Sequence, residues 1–263
     1  MSPIGTRPSF RGSTGVLLLA GLLVAGCQST SSPKPDSAGE ERAKVAALNT
    51  QLGVEYMKDG DNELALKKLE KAIEVDPRNA DAHNAMGLLR NRLGQFDKAE
   101  ASFEAALSSA PGNSMALNNY GQFLCQQQRY DEGQAKFIEA VKNPLYRTPE
   151  VALTNAGLCA LAAKNVDTAE EHFRAALDRN PQIALALLQM AQISLDRSRL
   201  PDAQRYMTRY FALAPQSPRA LALAIRIEKA LGNDDKAASY AVALRNRFPD
   251  SRETGQLLRG EIN

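Results

Sequence analysis

Residues 80–113 read ADAHNAMGLLRNRLGQFDKAEASFEAALSSAPGN, a unit whose landmarks recur along the chain. Gly87 and Ala99 are small, Phe103 is large, and Pro111 closes the unit. Pro77 and Pro111 stand one unit apart, and so do Pro181, Pro215 and Pro249 in succession. Between Pro111 and Pro181 lie two units and two extra residues, with Pro144 or Pro149 near the missing position. Ala65, Ala99, Gly133, Ala169, Ala203 and Ala237 form one small-residue column, and Ala72, Ala106, Ala140 and Ala176 form a second. Gly53, Gly87, Gly121 and Gly157 form a third. Four residues after the first column stands a large apolar residue: Leu69, Phe103, Phe137, Phe173 or Met207. Self-similarity at a fixed period of this length is the mark of a repeat array.

The columns have a physical reason. Two antiparallel helices approach closely where one offers Gly or Ala, and the large residue fills the space between them. Proline cannot continue a helix interior, so it stops the second helix and begins the turn. A single pair cannot bury its own apolar stripe, so neighbours stack. The pattern resembles the tetratricopeptide repeat, from Ala46 to Ser251, in units 46–79, 80–113, 114–149, 150–183, 184–217 and 218–251. It implies an all-α, right-handed α-solenoid of six helix pairs. The last two units lack the first glycine, with Ala191 and Ile225 in its place. Residues 252–263 are expected to form a cap and tail, with a short helix at 252–259 covering the last repeat through Leu257 and Leu258.

The N-terminus carries a different signal. Arg7 and Arg11 precede twelve uncharged residues, 15–26, a run of signal-peptide length and too short to span a bilayer. The run ends Val24-Ala25-Gly26-Cys27. This resembles a lipobox, in which the cysteine is acylated and becomes the first mature residue. The expectation is a lipoprotein signal peptide over 1–26, a lipid on Cys27, and a flexible Ser/Pro-rich tether over 27–45. Two or more acyl chains anchor a protein durably. Residue 28 is Gln rather than the Asp associated with inner-membrane retention, so the resemblance implies the periplasmic face of the outer membrane.

Composition excludes several classes. The chain has 32 Lys and Arg against 30 Asp and Glu, and the balance is even without Arg7 and Arg11. A near-neutral body lacks the basic face that nucleic-acid binding requires, so no nucleic-acid partner is expected. There are two histidines, His83 and His172, and no CxxC, HExxH, GxSxG or P-loop pattern. Glu170-Glu171 and Asp234-Asp235 read as helix-start acids that complement the dipole. No catalytic residue, metal, small-molecule substrate or cofactor is expected, apart from the covalent lipid on Cys27.

In the repeat family the first helices of successive units line a concave groove. Carried over, its positions are Ala47, Thr50, Val54 and Met57 in the first unit and Asp81, Asn84, Leu88 and Asn91 in the second. They continue with Met115, Asn118 and Gln122, then Val151, Thr154 and Leu158, and finally Arg219, Arg226 and Lys229 in the sixth unit. The spacing keeps each set on one helical face. The groove would be apolar, then amide-rich, then apolar, then basic. Thr50, Val54, Met57, Asn84, Leu88, Asn91, Asn118, Gln122, Thr154 and Leu158 are the candidate partner-binding residues. Their amides suit an extended peptide backbone, and the apolar set suits an amphipathic segment.

Two stretches narrow the resemblance. Residues 117–125 read LNNYGQFLC, followed by Arg129-Tyr130-Asp131-Glu132, and residues 143–159 read NPLYRTPEVALTNAGLC. They resemble the type IV pilus biogenesis lipoproteins of the PilF/PilW family. The resemblance implies a pilotin that binds the pilus secretin subunit, aids its localisation and multimerisation in the outer membrane, and so supports fimbriae and twitching motility. A periplasmic scaffold for outer-membrane protein insertion or cytochrome maturation is the alternative, against which the segment 143–149 speaks. Cys125 and Cys159 lie one repeat period apart on adjacent first helices. In an oxidising periplasm they are expected to form a disulfide, the alternative being two thiols packed as small hydrophobes.

Overall fold

The computed structural model describes residues 37–262. Among them lie thirteen helices and no strand: α1 (Ser37–Asp59), α2 (Asn62–Val75), α3 (Ala80–Arg92), α4 (Phe96–Ser109), α5 (Ser114–Gln126), α6 (Tyr130–Lys142), α7 (Pro149–Ala162), α8 (Val166–Arg179), α9 (Ala184–Asp196), α10 (Leu200–Leu213), α11 (Pro218–Ala230), α12 (Asp234–Arg247) and α13 (Arg252–Leu258). The first twelve are paired into a right-handed solenoid, α1 meeting α2 where Gly53 faces Leu69, with α13 on the last pair. The expected signal peptide over 1–26, Cys27 and residues 27–36 of the expected tether lie outside the described residues. No described helix is long and apolar enough to cross a membrane.

Each of the first four pairs is closed by a large residue against a glycine. A Cβ added to Gly87 would stand 2.7 Å from the Phe103 ring, and one added to Gly157 2.6 Å from the Phe173 ring. Leu69, Phe103, Phe137 and Phe173 are accordingly buried completely or nearly so. The last pair inverts the sizes. Ile225 is buried where the first four units have glycine, and Ala241 takes the place of the large residue. Such a swap keeps the total volume similar, which is what a close-packed interior tolerates best.

The turn inside each pair follows one pattern. Gly60, Gly94, Gln128, Lys164, Ser198 and Gly232 all have positive φ, from 56° to 83°. In the second pair, Gly94 N donates to Asn91 O (3.0 Å) and Gln95 N to Arg90 O (2.9 Å). That is a Schellman ending, which satisfies carbonyls the helix leaves free. Between pairs, proline follows the C-cap residue of α2 and α4, and a polar residue opens the next helix. Asn79 accepts from Ala82 N at 2.9 Å, and Asn113 from Ala116 N at 3.1 Å. Such a cap is worth about 1 kcal/mol.

Two boundaries differ from the sequence expectation. α1 starts at Ser37, so residues 37–45 are helix rather than tether. Ala38, Glu41, Arg42, Ala43 and Lys44 are good helix formers, and Glu40 complements the dipole in the first turn. At the other end Leu258 does not cover the last repeat, being 70% exposed. Ile262, 4% exposed, packs there with Leu257 against Leu221, Ile225 and Leu244. Thr254 is also buried and donates to Phe248 O at 2.7 Å. A two-turn helix presents one narrow stripe, and the tail that folds back after Gly260 supplies the rest. The two-residue insertion lies near Pro144 and Pro149, where the sequence placed it, and is taken up in a loop at 143–148. Asn143 Nδ2 donates to Gly112 O (3.2 Å) and Ser114 Oγ (3.1 Å), which ties the loop to the preceding inter-repeat turn.

Candidate functional site

The odd-numbered helices α1 to α11, the first of each pair, form the side that the repeat resemblance makes concave, with α5 in contact with α3 and α7 and α9 with α11. The candidate residues separate into two groups on it. Val54, Leu88, Gln122 and Leu158 occupy the same place in successive units and are half-buried, with part of each side chain facing solvent. They form a discontinuous stripe along the groove. Asn91 is also half-buried, and its Nδ2 donates to Gln126 Oε1 across to α5 at 2.8 Å.

Thr50, Met57, Asn84, Asn118 and Thr154 are buried instead, which corrects their assignment to the open groove. Their helical position points sideways, towards the neighbouring helices, so water is excluded from them. Buried polar groups need partners, and each polar member of this set has one. Thr50 Oγ1 donates to Ala46 O at 2.9 Å, and Thr154 Oγ1 to Glu150 O at 2.7 Å. Met57 fills the space between the first two pairs beside Leu69, Met86 and Leu89. The asparagines join a chain of amides. Asn155 Nδ2 donates to Asn118 Oδ1 (2.9 Å), Asn118 Nδ2 to Asn119 Oδ1 (3.3 Å), and Asn119 Nδ2 to Asn84 Oδ1 (3.1 Å). This chain fixes α3, α5 and α7 side by side.

Cys125 and Cys159 are joined in a disulfide between α5 and α7, with Cα atoms 5.7 Å apart. Behind it stands Gly133, the one glycine in a column that otherwise holds alanine. A Cβ there would collide with Cys125 Sγ, so the bridge occupies the room a methyl group takes in the other units. The bridge, Phe137, Gln122, Gln126, Asn155 and Leu158 line a pocket of about 350 Å³. It has an apolar floor, with amide groups on its walls. Such a pocket accepts one apolar side chain of a peptide while the amides hold its backbone. Two further depressions lie between α9 and α11, and Arg226 lines both.

Charge clusters brace the pairs outside the groove. Glu170 is not the helix-start acid that its local sequence suggests. It lies a turn inside α8 and is 4% exposed. Its carboxylate accepts from Arg174 (2.6 Å), Arg197 (2.7 Å) and Arg199 (2.7 and 2.8 Å). The Arg199 hydrogen bonds hold it below the usual carboxylate range, against the opposing effect of burial. A lowered value means that its stabilisation is present above the unfolded-state pKa, near 4.3, and fades as pH falls through the folded value. Glu170→Gln is therefore expected to cost about 2 kcal/mol at pH 7, less than a dry ion pair because the arginines remain a third or more exposed. In thermal melts the gap to the parent protein should close below about pH 4. A gap unchanged from pH 7 to pH 3 would refute the role of charge.

In a second cluster Glu100 Oε1 accepts from Tyr120 Oη (2.8 Å) and Arg129 Nη1 (2.5 Å). Burial, then the bond to Glu100, pushes the Tyr120 phenol up. Neither histidine joins a polar cluster: His83 Nε2 lies 3.0 Å from Pro77 O, and burial lowers the pKa of His172. Among the described residues no three His, Cys, Asp or Glu are grouped to hold a metal ion.

A tetratricopeptide-repeat family model matches residues 50–114, 84–144 and 124–183. The type IV pilus assembly protein PilF of Pseudomonas aeruginosa is 32% identical over 237 residues, spanning 90% of this chain and 93% of that one. An uncharacterized Haemophilus influenzae protein is 27% identical over 47% of this chain and 69% of its own. The solved structure of Pseudomonas aeruginosa PilF superposes with a TM-score of 0.77 at 32% identity, covering 84% of this chain and 99% of that one. The crystal structure of PilW, described as a widely conserved type IV pilus biogenesis factor, gives 0.74 at 34% identity over 82% and 99%.

Proposed function

Because this chain belongs to the tetratricopeptide-repeat family of type IV pilus assembly proteins that includes PilF and PilW, we propose that it is a scaffold, not an enzyme, which acts in pilus biogenesis by binding the secretin subunit. Lipid on Cys27 holds it to the periplasmic face of the outer membrane. The half-buried stripe of Val54, Leu88, Gln122 and Leu158 receives a segment of the secretin subunit, and the protein thereby promotes secretin multimerisation there. The observation that carries this reading is the amide-walled pocket over the disulfide, which suits one apolar anchor on a peptide of otherwise open sequence.

Deletion of the gene, complemented with variants, tests it. The deletion strain should lose secretin multimers from the outer-membrane fraction. Leu158→Glu, which puts a charge at the rim of the pocket, should leave the helical fold intact and weaken secretin capture roughly tenfold or more. Cys27→Ala should release the protein from membranes. Normal multimers in the deletion strain would overturn the reading. So would a pull-down that recovers outer-membrane insertion subunits and no secretin.

A further inference from the structure

Charge is distributed unevenly along the solenoid. Residues 37–183 carry 17 Lys and Arg against 21 Asp and Glu, whereas residues 184–263 carry 12 against 8. The positive excess at the C-terminal end includes two arginines on the concave face of α11. Arg219 has no hydrogen bond or ion pair among the described residues. Arg226 reaches one acid, Asp196, at 3.9 Å, beyond hydrogen-bonding distance, and both side chains are well exposed. Asp196 is itself engaged by Gln192 Nε2 at 2.7 Å.

Both guanidinium groups line a depression of about 430 Å³ between α9, α11 and the C-terminal segment. Leu223 and Ile262 contribute its apolar surface, and Gln256 a side-chain amide with no hydrogen-bond partner among the described residues. A second depression of about 360 Å³ continues past Arg226 to Lys229. The Lys229 ammonium is held by Ile262 O at 2.9 Å, which fixes the tail as one wall. Two acids stand on the tail side. Glu261 is forked onto Arg259 (2.6 and 3.0 Å), while Glu253 is not paired.

We propose that this end of the groove is a second binding site, for an extended acidic peptide segment with carboxylates three residues apart. Arg219 and Arg226 are seven residues apart on one helix face, about 10 Å along the axis. An extended chain of the polyproline II type repeats every three residues and rises about 9 Å in doing so. Carboxylates at that spacing therefore share one side of the peptide and meet both arginines. Guanidinium groups bind carboxylates through paired, charge-assisted hydrogen bonds. Glu253 opposes the ligand and limits its affinity. The inference rests on the concave side being the peptide-binding side. It adds a site of different chemistry on α11, two units along the solenoid from Leu158 on α7.

The test is fluorescence anisotropy of the full chain with a fluorescein-labelled, end-blocked peptide Ala-Glu-Ala-Ala-Glu-Ala and its Gln counterpart. The Glu peptide should bind at least about fivefold tighter, and high salt should erase the difference. Arg219→Gln and Arg226→Gln should each weaken it about fivefold, Arg226→Lys less, and Glu253→Gln should tighten it. Helical circular dichroism shows that each variant is folded. Equal affinity for the two peptides, or silent arginine variants, would overturn the site. Loss of binding on Leu158→Glu with silent arginine variants would move the peptide to the pocket over the disulfide. Arginine-dependent capture of phosphatidylglycerol vesicles without peptide binding would assign the charge to a lipid surface and also overturn it. The secretin assay is read on Leu158 and Cys27, so it stands or falls separately.

Discussion

Replacing Phe173 by alanine is expected to lower the unfolding free energy by about 3–5 kcal/mol, the range for emptying a filled aromatic site. The ring is fully buried and lies against the bare backbone of Gly157. It belongs to a continuous cluster with Ala169, Leu187, Met190 and Ala203, so its loss opens both its own pair and the seam to the next. The glycine cannot fill the space, and the helices are held apart by their remaining contacts. In a repeat array stability is a sum of unit and neighbour terms, and this substitution weakens both kinds. Thermal melting should move down by about 10 °C. A change below about 1 kcal/mol in denaturant titrations would mean that the gap collapses. The column of large residues would then matter less than its burial implies.

Removing the disulfide by replacing both Cys125 and Cys159 with serine is the second large effect. The bridge joins positions separated by 34 in the sequence. In the chain-entropy account a loop of that size is worth about 3–4 kcal/mol, because the unfolded chain without it has many more conformations. The serines also leave two hydroxyls beside Phe137 at the pocket floor. The double variant should unfold at lower denaturant, and reducing agent should shift the parent protein towards it while leaving the variant unchanged. Alkylation without reductant, followed by mass spectrometry, provides the covalent check. Two alkylated thiols on the purified native protein would remove the premise.

The repeat period carried nearly the whole fold, because sterics write it directly into residue types. Gly87 stands where Phe103 needs space, and Pro111 stands where a helix ends. The groove was legible in part. Val54, Leu88, Gln122 and Leu158 line it, whereas Thr50, Met57, Asn84, Asn118 and Thr154 face adjacent helices. Helical spacing fixes a direction around one axis. It does not say how near the next axis lies, and that distance decides which flank of the stripe stays wet. The amide chain did leave a trace, since Asn84, Asn118, Asn119 and Asn155 fall in two adjoining columns of neighbouring units. Glu170 left none: its partners Arg197 and Arg199 are 27 and 29 residues away, and the local sequence suggests only a helix start. At the C-terminus Leu258 is the more conspicuous residue, but the chain reverses at Gly260 and delivers Ile262 to the same surface.

The six tight turns within the pairs differ in one respect. Gly60, Gly94 and Gly232 enter the left-handed region without penalty, while Gln128, Lys164 and Ser198 enter it with a Cβ, at a cost of about 1 kcal/mol each. The three costly turns are consecutive and sit in the middle of the rod, in the two bridged units and the one that follows. An engineer seeking a hardier protein therefore has three surface positions where glycine relieves the backbone and no packed side chain is disturbed. The groove keeps its shape under such changes, so robustness can be altered there independently of what the protein grips.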